Sequence, residues 1–209
     1  PVGKTISPAR PGKNMNIQPV TLTAPLVRLE PLTEAHVPDL AVVGLDERIW
    51  RYMRYGNIQT EAELLEWVRA LLEWQKAGND LPFAVIWLPT GRAVGCTRYL
   101  NISHAHRALE IGGTWYGLEY QGTLVNPACK YLLLKHAFES LGCIRVQFKA
   151  DRRNERSQRA IERLGAVKEG VLRNHMILED GSFRDSVFYS ILPDEWPSIK
   201  TRLENIIGL

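Results

Sequence analysis

Cysteine is scarce in this sequence, and its arrangement excludes two classes of protein. Cys96, Cys129 and Cys143 are the three cysteines among 209 residues. None of them forms the C-x-x-C spacing of a metal or redox pair, and an odd count makes a poor disulfide framework. We therefore expect buried free thiols in a reducing, cytoplasmic compartment, with no bound metal.

Long apolar runs are also missing. No segment approaches the roughly 18 consecutive apolar residues of a transmembrane helix, and no charged stretch precedes a short apolar one as in a signal peptide. With 45% hydrophobic residues, the chain still has enough apolar surface for a core. The composition predicts a soluble globular protein with no membrane partner.

Acidic residues are absent from residues 1–19, which contain three basic ones. The rest of the chain therefore holds 23 basic and 23 acidic residues, and the net charge of +3 belongs to this first segment. Because nucleic-acid-binding domains usually have a basic excess of their own, no nucleic-acid partner is expected. We expect residues 1–19 to be a flexible tail, with Met15 as a potential translation start, and residues 20–209 to form one domain.

The common signatures of phosphate, metal and hydrolase sites do not occur: neither Gly-rich phosphate loop, nor H-E-x-x-H, nor G-x-S-x-G is present. Two other segments are candidates for chemistry. QGTLVN, residues 121–126, leads into a helix start, where backbone N–H groups and the helix dipole attract anions. DRRNERSQRAIERLGA, residues 151–166, holds five arginines. Taken alone, the first is more typical of an ordinary strand-to-helix connection, and the alternative for the second is a nucleic-acid-binding patch.

Apolar periodicity predicts a mixed α+β fold. Alternating patterns predict strands at residues 26–30, 83–88, 93–102, 108–116, 144–150, 166–178 and 183–192. Helices are predicted to begin at Thr33 and at Thr60, which forms a capping box with Glu63. A third is predicted with Asn126 as N-cap and Pro127 in the first helical position. Two more are predicted to begin near Asn154 and near residue 194. The helix at 127–142 connects strands 108–116 and 144–150, so those two strands are expected to be parallel and the others antiparallel.

A resemblance to a known family rests on three segments in order: EIGGTWYGLEYQGTLVNPACKYLLLKHAFESLG, RVQFKADRRNERSQRAIERLGAVKEGVLRNHM and RDSVFYSILPDEW. Together they resemble the GNAT superfamily of acyl-CoA-dependent N-acyltransferases, most closely the branch of bacterial ribosomal-protein N-terminal acetyltransferases. The resemblance covers residues 25–197. It implies a mostly antiparallel central sheet with one parallel βαβ crossover, central strands that splay apart, and helices on both faces.

The resemblance also implies acetyl-CoA as co-substrate. It assigns Thr114, Trp115 and Tyr116 to the pantetheine arm, Gln121, Gly122, Thr123, Leu124, Val125 and Asn126 to the pyrophosphate, Lys130 to a phosphate, Asn154 to the pantetheine arm, and Ser157 to the thioester sulfur. The arginines of residues 151–166 are then expected at the cofactor rim and on solvent faces. Many relatives have glycine in place of Leu124. Since leucine does not take a positive φ cheaply, the loop must use helical dihedrals or bind the pyrophosphate less closely.

Amine acylation needs a group that accepts a proton from the amine and one that protonates the leaving thiolate. Glu110 is the first candidate for the base. The alternative is that Glu110 is an outward-facing strand carboxylate paired with an arginine. His175 is the second candidate, because histidine titrates near neutral pH. The alternative is that His175 is a surface or hydrogen-bonded strand residue. Ser157 is the candidate proton donor to the thiolate. The alternative is that Ser157 is an ordinary residue in the first turn of a helix.

The acceptor side is expected to include Trp50, Tyr52 and Tyr55, from the aromatic-rich segment 49–57, and His175; core packing is the alternative for the aromatic residues. The acceptor itself, a protein N-terminus or a small-molecule amine, is not fixed by the sequence, and a homodimer is compatible with it. Two other functions stay open: a non-catalytic acyl-CoA-binding or interaction protein, and an RNA- or ribosome-binding module.

Overall fold

One mixed sheet organises the chain. The structure, a computed structural model, describes residues 15–209. The strands of this part are, in chain order, β1 (Leu22–Thr23), β2 (Val27–Pro31), β3 (Leu81–Trp87), β4 (Arg92–Ser103), β5 (Ala108–Tyr116), β6 (Arg145–Asp151), β7 (Val167–Ile177) and β8 (Phe183–Ile191). They lie in the order β1-β2-β3-β4-β5-β6-β8-β7, and only β5 and β6 pair in parallel among the described residues. The predicted mixed sheet with one parallel crossover is confirmed.

Six α-helices accompany the sheet within residues 15–209. They are α1 (Val37–Gly44), α2 (Glu47–Trp50), α3 (Glu61–Lys76), α4 (Val125–Lys135), α5 (Glu155–Arg163) and α6 (Trp196–Ile207). The helix predicted at Thr33 starts as a 3₁₀ turn, Glu34–His36, before α1. In this part of the chain no helix combines the length and the apolar character that a membrane crossing requires.

The start of α3 is set by the predicted capping box. The Glu63 N–H donates to Thr60 Oγ1 at 3.2 Å, and the Thr60 N–H donates to Glu63 Oε2 at 3.0 Å. These two bonds satisfy N–H groups that the first turn of a helix leaves without partners.

The predicted start of α4 is wrong. The helix begins at Val125, with Leu124 in the N-cap position, so Asn126 and Pro127 lie inside its first turn. Thr123 explains the earlier start, because its Oγ1 accepts the Val125 N–H at 3.3 Å. Pro127 is tolerated because the N–H that it lacks would have had no intrahelical partner there. After α4 the chain continues as a π-helical turn, His136–Ser140.

Two packed clusters cover the two faces of the sheet. Alternation along β3 directs Phe83 and Val85 into one cluster and Ala84 and Ile86 into the other. The first cluster receives residues from α4, α5 and α6, and the second receives residues from α1, α2 and α3. The expectation of helices on both faces is therefore confirmed.

The predicted tail extends beyond the described part of the chain. Its residues 1–14 lie outside the residues that the structure describes. Met15 is buried, and its carbonyl oxygen lies 2.9 Å from His104 Nδ1. Packing against the domain therefore extends back to Met15, ahead of the predicted boundary at residue 20.

A bulge interrupts β5 where it passes Arg98. Cys96 pairs with Trp115 and Arg98 pairs with Gly112, so β5 carries an extra residue over this step. Gly113, inside the bulge, has φ +56°. A Cβ at Gly113 would lie 2.7 Å from Arg98 Nε. Both the dihedral and the contact require glycine at this position.

Gly113→Ala should destabilise the protein by about 1–3 kcal/mol, because alanine there combines a left-handed backbone with a close contact. Denaturant unfolding monitored by tryptophan fluorescence measures the change. Gly170→Ala is the matched control: a Cβ at Gly170 meets no atom within 4 Å, and its effect should stay within about 0.5 kcal/mol. Equal effects of the two substitutions would contradict the assignment of strain to the bulge.

Candidate functional site

The two parallel strands separate after three residue pairs. Ala108–Glu110 of β5 pair with Arg145–Gln147 of β6, and no later residues of these strands pair with each other. Yet β5 continues to Tyr116 beside β4, and β6 continues to Asp151 beside β8. The sheet therefore opens as a V, and β5 residues 111–116 have no strand beside them on the β6 side.

A cleft with a volume of about 1350 Å³ occupies this opening and extends beyond it. Most of the residues predicted to form a site line it, namely Tyr52, Tyr55, Glu110, Thr114, Trp115, Tyr116, Gln121, Gly122, Thr123, Leu124, Asn126, Lys130, Asn154, Ser157 and His175. Val125 and Trp50 do not line it. The fold thus brings together residues that are far apart in the sequence.

The loop before α4 forms one end of the cleft. Leu124 has φ −70° and ψ −8°, which is the helical geometry expected of a leucine in place of glycine. Gly122 supplies the turn with φ +78°. Among the hydrogen bonds within residues 15–209, none uses the N–H groups of Gly122, Thr123 or Leu124. These exposed donors precede a helix N-terminus, an arrangement that suits an anion.

Gln121 connects this loop to both sides of the opening. Its Nε2 donates to the Tyr116 carbonyl oxygen at 2.9 Å, and its Oε1 accepts from Arg156 Nη1 at 2.6 Å. One amide therefore joins the end of β5 to α5, across the mouth of the V.

The five arginines of residues 151–166 divide into two groups. Arg152, Arg153 and Arg159 form ion pairs with Asp185, Asp151 and Glu155. Arg156 and Arg163 line the cleft. Because three of the five arginines are paired with carboxylates, the segment does not form one continuous basic patch.

The start of α5 carries Asn154 and Ser157. Asn154 is the N-cap, and its Oδ1 accepts the Ser157 N–H at 3.0 Å. That bond uses the carbonyl half of the amide, so the amino group of Asn154 is the half that can reach a ligand. Ser157 lies in the first turn of α5 and lines the cleft.

Lys130 lies deeper than its predicted place beside a phosphate suggests. Its side chain is buried, and Nζ donates to Thr114 Oγ1 of β5 at 2.8 Å. Burial lowers the pKa of Lys130 to about 8. The ammonium group therefore lies beneath β5, within the walls of the cleft.

Glu110 is the last residue of β5 that pairs with β6, so its carboxylate marks the vertex of the V. It is buried, and its Oε2 accepts from Asn101 Nδ2 and Gln147 Nε2, each at 2.9 Å. Lys149 Nζ lies 3.5 Å from Oε1. The alternative of an outward-facing carboxylate paired with an arginine is wrong: this carboxylate is buried, lines the cleft and pairs with a lysine.

His175 lines the cleft from β7. Its Nδ1 lies 3.0 Å from Ser186 Oγ, and its ring meets Phe188 edge-on. Burial, with smaller effects from Lys149 and Arg184, lowers the pKa of His175. A neutral imidazole is thus favoured, and this form is able to accept a proton.

Tyr52 and Tyr55, which are predicted for the acceptor side, line the same cleft. Tyr55 accepts a hydrogen bond from Arg98 Nη2, and Arg98 Nη1 lies 2.8 Å from Asp80 Oδ2. Arg98 is 1% exposed, so this ion pair is almost fully removed from water.

Trp50 does not take the place predicted for it. Its indole is buried, donates to the Gly44 carbonyl oxygen at 2.7 Å, and packs against Trp67 and Trp115. Trp50 is therefore a core residue of the second cluster, the alternative that the sequence left open, because its N–H already has a buried acceptor.

The sequence interpretation missed five cationic residues of the cleft, namely Arg48, Arg54, Arg98, Lys149 and Arg184. Arg98 had a recognisable signal, since it interrupts an otherwise apolar strand and a buried charge needs a partner. Lys149 and Arg184 lie in alternating strands, where a charged residue is ordinary, so their patterns gave no such signal.

Comparison with known sequences identifies related proteins. A family model described as the acetyltransferase (GNAT) domain matches residues 27–167. The Bacillus subtilis protein YdaF, provisionally named a ribosomal N-acetyltransferase, is 28% identical over 174 residues, which are 82% of this chain and 92% of YdaF.

Solved structures agree with the fold. A protein from T. thermophilus, described provisionally as an acetyltransferase, is 41% identical, with a TM-score of 0.83 over 91% of this chain and 98% of that one. Mycobacterium smegmatis RimJ, solved in complex with CoA-disulfide, shares the fold at 22% identity, with a TM-score of 0.76 over 91% of this chain and 95% of its own.

The cysteines should be inert in the native protein. Burial raises the pKa of Cys96, Cys129 and Cys143 to about 12, and the thiolate is the reactive form. A chromogenic disulfide reagent at about pH 8 should modify none of the three quickly, and all three after unfolding in guanidinium. Rapid reaction of Cys129 in the folded protein would instead indicate a reactive thiol on α4.

Proposed function

Because the chain belongs to the GNAT family of acetyltransferases, as its sequence motifs predicted, we propose that it transfers an acetyl group from acetyl-CoA to a primary amine by direct attack of the amine. The observation that carries this proposal is the V between β5 and β6, with an unpaired strand edge inside the sheet and a buried carboxylate at the vertex.

The unpaired edge of β5 suits the pantetheine arm of CoA. Residues 111–116 present main-chain N–H and C=O groups on the side from which β6 has departed. A strand edge in the middle of a sheet needs partners for these groups. Pantetheine is extended and contains two amides, so it can bind there as a peptide strand does in β-augmentation.

The mouth of the cleft suits the pyrophosphate. The N–H groups of Gly122, Thr123 and Leu124 precede α4, whose dipole is positive at this end. Arg156 and Arg163 line the same cleft and add positive charge. The amino group of Asn154 is the donor proposed for the pantetheine arm.

Acetyl-CoA supplies its acetyl group as a thioester; transfer forms a C–N bond, breaks the C–S bond, and moves a proton from nitrogen to sulfur. Glu110 is the proposed acceptor of that proton, directly or through water, because it is the buried carboxylate of the cleft at the vertex. Asn101 and Gln147 fix its orientation. Ser157, on α5, is the proposed donor of a proton to the sulfur.

The acceptor amine is proposed to enter beside Tyr52, Tyr55 and His175, which line the cleft. A protein N-terminus is the first class to test, since YdaF is provisionally named for ribosomal N-acetylation. Small-molecule amines are the second class. The homodimer and the cytoplasmic location stay predictions.

The function is tested by incubating the protein with acetyl-CoA and a panel of amines, and by measuring thiol release together with the mass of the product. The panel contains peptides with different N-terminal residues and their N-blocked counterparts, polyamines and amino acids. Acetylation of a free amine, absent from the blocked peptide, is the expected result. Binding of acetyl-CoA without turnover across the panel would favour a non-catalytic acyl-CoA-binding protein.

Glu110→Gln should lower kcat/KM by about a hundredfold or more, since the amide cannot accept the proton, while CoA affinity measured by calorimetry stays unchanged. Glu66→Gln, which alters an exposed ion pair on α3, should leave both quantities as they are. If Glu110→Gln keeps its activity and His175→Gln loses it, the base is His175 instead.

A further inference from the structure

Lys130 occupies an unusual position for a lysine. It lies in the second turn of α4 and is 6% exposed. Its Nζ donates to Thr114 Oγ1 of β5 at 2.8 Å and lies 6.0 Å from the ring centroid of Phe148 in β6. Thr114 and Phe148 both lie beyond the last residue pair of the two strands. The ammonium group is therefore inserted between the diverging strands.

No carboxylate neutralises this ammonium group among residues 15–209. Lys130 takes part in none of the salt bridges of the described residues. The titratable group that affects it is the neighbouring Cys129 thiol, which is neutral because its pKa is raised to about 12. Burial of an ammonium group without a counter-charge is energetically unfavourable. A cost of this kind is typical of functional sites.

The charged groups around Lys130 do not offer an anion. On β5 and β6, Glu110 is paired with Lys149, and Asp151 is paired with Arg153. On α5, the charged residues that line the cleft are Arg156 and Arg163, both cationic. The α6 residues that line the cleft, Leu203 and Ile206, are apolar. The described surroundings therefore leave the positive charge of Lys130 available to a ligand.

The hydrogen bonds of Lys130 leave donors free. An ammonium group has three N–H donors, and Thr114 Oγ1 accepts one of them. The Thr114 hydroxyl also lies 2.7 Å from Thr97 Oγ1. Because Thr114 accepts from Lys130, its own proton is free to be donated to Thr97. Two N–H groups of Lys130 then remain for an acceptor in the cleft.

We propose that Lys130 binds the sulfur of CoA as a thiolate and stabilises the negative charge that forms there when the C–S bond breaks. This inference rests on the proposed use of acetyl-CoA along the β5 edge. When the amine nitrogen forms its bond to the acetyl carbon, the electron pair of the C–S bond moves to sulfur, and Glu110 holds the proton of the amine. Lys130 keeps its own proton, and the thiolate takes one from Ser157 or from solvent afterwards.

A phosphate is the less suitable anion for Lys130. The exposed N–H groups of residues 122–124 and the side chains of Arg156 and Arg163 provide donors for phosphate at the cleft surface. Lys130, in contrast, is buried and bonded to the strand along which the pantetheine arm is proposed to lie. The exposed donors at the mouth of the cleft are therefore the better match for phosphate, and the buried ammonium group of Lys130 is the better match for the sulfur.

The proposal predicts a pH-dependent preference for CoA over desulfo-CoA, which lacks the sulfur. A cation beside the sulfur lowers the thiol pKa below that of free CoA, so CoA binding releases a proton and strengthens as pH rises toward the pKa of the free thiol. Burial lowers the pKa of Lys130 to about 8, so the preference should decline as pH rises above this value. Between about pH 6 and pH 8 the ratio of CoA affinity to desulfo-CoA affinity should increase with pH. Its total increase should be about tenfold for each unit by which binding lowers the thiol pKa, as far as that shift falls within this pH interval.

Calorimetry tests this with CoA and desulfo-CoA, on the full chain across that pH interval, for the wild type, Lys130→Met and Lys135→Met. Lys135 lies on the same helix but is exposed, which makes it the matched control. The preference should grow with pH in the wild type and in Lys135→Met, and should be small and flat in Lys130→Met. Should Lys130→Met fail to fold, ultraviolet titration of the thiolate of CoA bound to the wild type reports the depressed thiol pKa, and Lys130→Arg should retain it.

Three outcomes would overturn the proposal. A preference that stays flat with pH in the wild type, despite binding of both ligands, would exclude a thiolate contact and leave the proposed function intact. Equal weakening of CoA and desulfo-CoA in Lys130→Met at every pH would assign Lys130 to the phosphates. Failure of either ligand to bind the wild type would remove the proposed use of CoA, and this inference with it.

Discussion

The ladder between β5 and β6 ends at Glu110, and the site depends on that ending. Three residue pairs hold the parallel strands together, after which β5 carries the bulge at Gly113 and Lys130 inserts its ammonium group between the strands. Because each strand remains paired on its other side, the sheet does not unravel. The chain thus creates unsatisfied main-chain groups inside its own sheet, where an extended molecule can satisfy them.

Within residues 15–209, some charged residues of the cleft have a partner of opposite charge, and Lys130 does not. Arg98 pairs with Asp80, and Lys149 pairs with Glu110, so these ions orient one another. Lys130 has no acidic partner among the described residues. Since a buried ion pair contributes little net stability but fixes geometry, Asp80 and Lys149 are best understood as orienting Arg98 and Glu110, and the unpaired Lys130 is the group proposed to meet a ligand.

Local signals were enough to predict most of the elements, because caps, alternation and turns act over a few residues. The Thr60 capping box is an example. The α4 start was misjudged for the same reason: Asn126 and Pro127 form a good local signal, but the Thr123 hydroxyl moves the start to Val125. Trp50 could not be separated from Tyr52 and Tyr55, because a cluster of aromatic residues does not indicate which ring faces inward. The roles of Lys130 and Lys149 depend on strand divergence, which periodicity does not encode, so the site itself was predicted from family resemblance.

Residues that pack in each of the two clusters line the cleft. Tyr55 packs on the cluster of α1, α2 and α3, whereas Val125 and Ile161 belong to the cluster on the other face of the sheet. Under the proposed function, substitutions around Tyr55 would alter the acceptor wall without repacking the cluster that supports α4 and α5. Arg98 limits this freedom, since it touches Tyr55 and crowds Gly113 at once. Changes of substrate range should accordingly accumulate around Arg98 and spare it.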